Sequence, residues 1–282
     1  MSETYWVTAP DGVGLAVQEW GNRSGPEILL IHGLAQSHLS FTRQFASQLT
    51  RDHRIVSFDL RGHGLSEKPL EPACYQDGRR WADDVRAVIA HVGLRRPVLV
   101  GWSLGGRVIR QYLIHHGDAG LSGINIVSAR PIEDPSVTLA VPLATDETAA
   151  SPLEREIRST IAFLQACYAT PPEGDDFAMA LAFNMMLPSQ VREAIKGWST
   201  PADSVIAALR AVRVPTLITH GLLDGLIRPT AAEMTAAHVP HARISWFETS
   251  GHSPFYEDAP RFNRELAAFV AEAWSRGRPP GS

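Results

Sequence analysis

The sequence predicts an α/β fold in which a mostly parallel sheet is flanked by helices and interrupted by one helical insertion. Short β-branched runs bounded by turn residues alternate with segments of helical periodicity, as successive βαβ units require. Four of those runs are almost wholly apolar, the pattern of strands buried on both faces. Between 130 and 213 the alternation stops, and helical periodicity continues without a convincing strand.

Taken in order, the first strand is expected at 15–20, where polar and apolar residues alternate. Further strands are expected at 28–31, 54–58, 98–101, 123–127, 216–219 and 243–247, each a short run carrying Val, Ile or Leu between turn residues. Helices are expected between and after them at 41–49, 78–92, 104–115, 230–237 and 260–274. Pro131 and Pro135 mark one border of the insertion and Pro215 the other. Its interior is broken by Pro171, Pro172 and Gly174, and 153–168 and 177–186 have helical periodicity. The chain thus divides into a first core part, 1–129, an insertion, 130–212, and a second core part, 213–282. The tail 277–282, rich in Gly, Pro and Arg, is expected to fray.

With 282 residues, 44% hydrophobic and 20% charged, the chain can bury one large core and lies outside the disordered and low-complexity classes. A net charge of −4 with interspersed signs offers no basic stripe for nucleic acid and no polybasic anchor for a membrane. Cys74 and Cys167 lie far apart without a CxxC, which indicates neither a disulfide framework nor a zinc knuckle. HExxH, Walker-type GxxxxGK and strand-following GxGxxG motifs are absent, so no metal or other cofactor is expected. The first twenty residues lack a basic start and a continuous apolar stretch. The expectation is a cytoplasmic protein acting on a small molecule, monomeric or homodimeric.

The sharpest local feature is Gly101-Trp102-Ser103-Leu104-Gly105, a GxSxG pattern directly after a buried strand and before a helix. A strand that turns sharply into a helix needs residues without side-chain bulk on either side of the turn, which Gly101 and Gly105 supply. Ser103 is then expected at the tip, strained, its hydroxyl beside the free N–H groups of the helix start. A serine hydroxyl is a poor nucleophile at neutral pH and needs a base, itself oriented by a third group. Of eleven histidines, His252 stands out, in the loop between the last strand and the C-terminal helix. Asp224, in the loop beyond strand 216–219, is the expected acid, with Glu133 and Asp134 as runners-up. The His32-Gly33 turn ends another buried strand, so the backbone N–H groups of Leu34 and Leu104 are expected to meet a developing oxyanion.

Together these features resemble the α/β-hydrolase family. The order Ser103, Asp224, His252 is that family's order of nucleophile, acid and histidine, and the elbow, the His-Gly turn and the final Gly251-His252 fall where the family has them. Asp59-Leu60-Arg61-Gly62-His63-Gly64-Leu65-Ser66 is similar to the family's DxRGxGxS loop, whose role is mainly structural, and His63 is not assigned to catalysis. The resemblance implies an eight-stranded α/β-hydrolase sheet and makes the insertion the family's variable helical cap. Serine rather than aspartate at the elbow disfavours dehalogenase and epoxide-hydrolase activity and implies an ester or lactone hydrolase. Cofactor-free haloperoxidase or perhydrolase and C–C bond hydrolase stay open as alternatives with the same triad, and a small-molecule receptor on this scaffold is the alternative from another class. Trp102, Phe163, Met185 and Met186 are the expected substrate contacts, beneath an apolar cap that also holds Tyr168, Phe183 and Trp198. The few charges between 177 and 187 point to a small to medium, largely uncharged ester or lactone.

Overall fold

Side chains alternate across extended backbone, so a strand that is apolar at every position must be covered on both sides. In β3 (Glu27–Ile31) Ile28 and Leu30 join one buried cluster, and Leu29 and Ile31 join another on the opposite face. Helices Gly78–Val92 and Leu104–His116 cover the second face through Trp81, Val85, Val108 and Ile109. Helix Ala259–Ser275 covers the first with Phe262, Leu266 and Phe269. A computed structural model describes residues 3–139 and 151–276, and the tail 277–282 lies outside the described residues.

The other strands are β1 (Glu3–Thr8), β2 (Gly14–Gly21), β4 (Arg54–Phe58), β5 (Val98–Trp102), β6 (Gly123–Val127), β7 (Thr216–Gly221) and β8 (Arg243–Phe247). They form one eight-stranded sheet in the order β1-β2-β4-β3-β5-β6-β7-β8, with β2 antiparallel to both neighbours and the remaining pairs parallel. From β3 the chain moves to β4 on one side and then to β5 on the other. The loops leaving β3 and β5 therefore diverge and open a crevice at their carboxyl ends.

Two departures from the sequence expectation have physical reasons. β1 was not among the expected strands; it is an edge strand with one partner, and it buries Val7 while leaving Trp6 54% exposed. The expected helix 41–49 is broken into a 3₁₀ turn, His38–Phe41, and two single turns, Thr42–Phe45 and Leu49–Asp52. Ser47 breaks it: its hydroxyl donates to the Gln44 carbonyl and accepts from the Leu49 amide, taking backbone groups that a continuous helix would use. Among the described residues between β6 and β7 lie a 3₁₀ turn, Pro135–Val137, and four α-helices, Pro152–Ala166, Gly174–Met185, Ser189–Lys196 and Ala202–Ala211.

The loop after β4 is a buried polar lattice. Asp59 accepts from the backbone amides of His38 and Leu65, at 2.7 and 2.8 Å, and from His38 Nδ1. The fully buried Arg61 clamps Asp84 through two bonds, of 2.7 and 2.6 Å, and also reaches Asp11 and the Cys74 carbonyl. His63 is buried against the Arg61 carbonyl, and burial pushes its imidazole down to about 3. Truncating Arg61 to alanine leaves the Asp84 carboxylate buried without its partner, and chemical denaturation should register a loss of about 3–5 kcal/mol. A loss under about 1 kcal/mol would contradict this account of the loop.

Candidate active site

The turn from β5 into helix Leu104–His116 places Ser103 at φ 53 and ψ −111, a backbone conformation rare for a residue with a side chain. The turn is tight enough that a Cβ on Gly101 would stand 2.5 Å from the Gly105 carbonyl oxygen, and one on Gly105 would collide with the Ile31 carbonyl. Only glycine fits at either position. The Ser103 amide donates to the Val127 carbonyl at 2.9 Å, which ties the turn to β6.

His252 and Asp224 arrive from the carboxyl-end loops of β8 and β7. His252 Nδ1 stands 2.8 Å from Asp224 Oδ2, and both side chains are buried. Asp224 Oδ1 accepts from the amides of Leu226 and Ile227, at 2.8 and 2.9 Å, and His220 Nε2 lies 3.3 Å from Oδ2. Burial alone would raise the Asp224 carboxyl, but the charges and hydrogen bonds of His252 and His220 outweigh it and hold the group well below the usual carboxylate range. An aspartate kept anionic in this way fixes the imidazole with its Nδ1 proton toward the carboxylate and leaves Nε2 to act on a reactant. Trp102 Nε1 donates to the His252 carbonyl at 2.8 Å and holds the loop from below.

Ser103 and His252 line one cavity of about 320 Å³ together with Leu34 and Leu104. No hydrogen bond joins the Ser103 hydroxyl to the imidazole in this geometry, and such bonds commonly tighten only once substrate is in place. Among the described residues the backbone N–H groups of Leu34 and Leu104 meet no protein acceptor; Leu104 opens its helix, so it has no intrahelical partner. Both amides are thus free for an anionic oxygen, with the helix start adding its positive dipole end. The two runner-up acids are engaged elsewhere. Glu133 pairs with Arg107, Arg110 and Arg130, and Asp134 accepts from the Ser136 amide.

Of the expected substrate contacts, Phe163 lines the cavity and the other three do not. Trp102 is 1% exposed and packs edge-on against Phe255, because side chains alternate along β5 and its side falls to the helix Ala259–Ser275 face. Helix Gly174–Met185 turns Ala180, Phe183 and Asn184 inward, at i, i+3 and i+4, which leaves Met185 half-buried and Met186 exposed. Trp198 stacks on Trp81 instead of roofing the cavity. The cap aromatics and methionines other than Phe163 thus lie away from the cavity wall.

Sequence reasoning missed the charged wall of the cavity, formed by Arg107, Arg110, Arg130, Glu133 and Lys196. The recurrence of arginine at positions 107 and 110, one and two turns beyond Ser103 on the same helix face, was the available signal. It also missed Glu257, a carboxylate that bridges the cap and the histidine loop. Its Oε1 accepts from the amides of Ala169 and Thr170, and its Oε2 from those of Gly251 and Ser253. Burial pushes its carboxyl up although those four amides pull it down. Among the described residues no group of three or more His, Cys, Asp or Glu side chains is placed to hold a metal ion. No helix among them is long and apolar enough to cross a membrane.

A strained serine at a strand-to-helix elbow, on the carboxyl rim of a sheet with this strand order, defines a class, and residues 26–259 match the family model of the alpha/beta hydrolase fold. The chain belongs to the α/β-hydrolase family. Among solved structures it is similar to a Burkholderia cenocepacia protein assigned as an aryl esterase, with 39% identity, a TM-score of 0.91 and coverage of 97% of this chain and all of that one. It is also similar to the esterase RhEst1 from Rhodococcus sp. ECU1013, with 31% identity, a TM-score of 0.84 and coverage of 95% and 98%. A bifunctional esterase/perhydrolase from Acinetobacter calcoaceticus is 26% identical, with 94% of this chain and 99% of the relative covered.

Proposed function

We propose that this protein is an ester-hydrolysing enzyme that works through an acyl-enzyme on Ser103, with a small to medium carboxylic ester or lactone as substrate. The Asp224–His252 pair supports this reading, set at the wall of the same cavity that holds the strained serine. His252 takes the Ser103 proton as the hydroxyl oxygen attacks the carbonyl carbon, and the amides of Leu34 and Leu104 hold the oxyanion. Collapse of the tetrahedral species expels the alcohol, which leaves with the proton from His252. Water, deprotonated in turn by His252, then releases the acid and restores the serine. Asp224 stays ionised throughout and stabilises the imidazolium. The likeness to an esterase/perhydrolase also supports hydrogen peroxide as an alternative second nucleophile, which would release a peracid from the same acyl-enzyme.

Treatment with an aryl fluorophosphonate should add one phosphonyl group to the intact protein, on Ser103, and none to Ser103→Ala. An unlabelled native protein, or equal labelling of the variant, would remove Ser103 from the role. Short-chain aryl esters should be turned over many times per active site. A protein that binds them and releases them intact would belong to the receptor class instead.

A further inference from the structure

Resting on the reading of Ser103 as the reacting centre, we infer that the cavity is built for a substrate that carries a carboxylate a few bonds away from the scissile carbonyl. Arg107 and Arg110 follow Ser103 at i+4 and i+7, so they lie on its helix face, about 6 and 10 Å further along the axis. They are 8% and 4% exposed. Arg130 joins them, and the three guanidinium groups share one carboxylate among the described residues. Glu133 Oε1 lies 3.2 Å from Arg107 Nε and 3.9 Å from Arg110 Nη2, while Oε2 pairs with Arg130. Among the described residues, two positive charges are left without a counter-charge on the wall of a cavity that also contains Ser103 and His252.

Partial anchoring does not remove this excess. Arg107 donates to the Trp198 carbonyl and lies 3.8 Å over the Trp198 ring, and Arg110 donates to the Pro131 carbonyl. Those partners are neutral. The Arg110 Nε–H is buried with no hydrogen-bond partner. Burial pushes both guanidinium groups down, to about 10 and about 9, so each remains charged at neutral pH and each gains from an added anion. A carboxylate matches the planar fork of a guanidinium in geometry as well as charge. A carboxylate-bearing substrate departs from the sequence expectation of a largely uncharged one. That expectation came from a cap helix, Gly174–Met185, which contributes no residue to the cavity wall.

Calorimetric titration of Ser103→Ala, which holds esters without turning them over, tests this directly. Monophenyl glutarate against phenyl pentanoate places the carboxylate in the acyl portion, and 5-acetoxypentanoate against pentyl acetate places it in the alcohol portion. The charged member of one pair should bind about 10- to 100-fold tighter, the range of one charge-assisted hydrogen bond, and the pair that discriminates assigns the side. Adding Arg110→Gln should reduce the ratio at least tenfold. Adding the nearly isosteric Glu133→Gln, which removes the competing carboxylate, should raise it. Equal binding within both pairs, a ratio untouched by Arg110→Gln, or a ratio lowered by Glu133→Gln would overturn the inference. The readout is independent of covalent chemistry: discrimination without fluorophosphonate labelling would sink the hydrolase reading alone, and labelling without discrimination would sink the anion site alone.

Discussion

Ser103→Ala is expected to lower kcat toward a short-chain aryl ester by about a million-fold, the scale seen when a triad nucleophile is removed. Stability should change by less than about 0.5 kcal/mol, because alanine inherits the same strained φ of 53 and the lost hydroxyl makes no hydrogen bond to His252. Ser103→Gly would share the kinetic loss but relieve the strain, so its denaturation midpoint should lie above that of Ser103→Ala. Stopped or burst-phase assays with an aryl ester measure the first effect, and urea titrations the second. Residual turnover above about one per cent in Ser103→Ala would assign the chemistry to another group.

The second large effect is expected at Asp224. Asp224→Asn should reduce kcat about 10⁴-fold, because an amide beside Nδ1 no longer fixes the imidazole tautomer or stabilises the imidazolium. Near-normal turnover would move the role to another acid, although the two runner-up candidates, Glu133 and Asp134, are held by arginines and by a turn amide. The same variant has a signature in acid. The folded carboxyl of Asp224 is held below its unfolded value of about 3.9, so its contribution to stability is complete above that pH and drains away as pH falls toward the folded value. The stability gap between the native protein and Asp224→Asn, about 2 kcal/mol at pH 7 for hydrogen bonds to a charged group, should therefore begin to narrow below about pH 4 and keep narrowing as the pH falls. Urea titrations from pH 7 to pH 3 measure it, and a gap that widens in acid would contradict the sign.

The parts of the fold legible from sequence were those under the strongest local constraint. Runs such as Ile28 to Ile31 can only be strands covered on both sides, and all seven expected strands are present within a residue or two of their limits. The elbow was legible because a tight turn leaves glycine no substitute at 101 and 105. His252 and Asp224 could be chosen because parallel topology sends the ends of β7 and β8 to the same rim as Ser103. The pocket wall was not legible. Whether Met186 or Phe163 faces the cavity depends on a helix rotation of about 100° per residue, and composition alone carries no information about that rotation. The charged wall was hidden for a related reason, since arginines at helical spacing look like a solvated face until the cap closes over them.

Glu257 has a further consequence for anyone who exchanges caps among relatives to change selectivity. Its two oxygens grip main-chain donors from the cap at 169 and 170 and from the imidazole's own loop at 251 and 253, so the roof and the proton carrier form one mechanical unit. A chimaera spliced without a matching backbone at that seam would strand an anion facing half its donors, and the imidazole would drift. Grafts should therefore carry the seam residues with the cap.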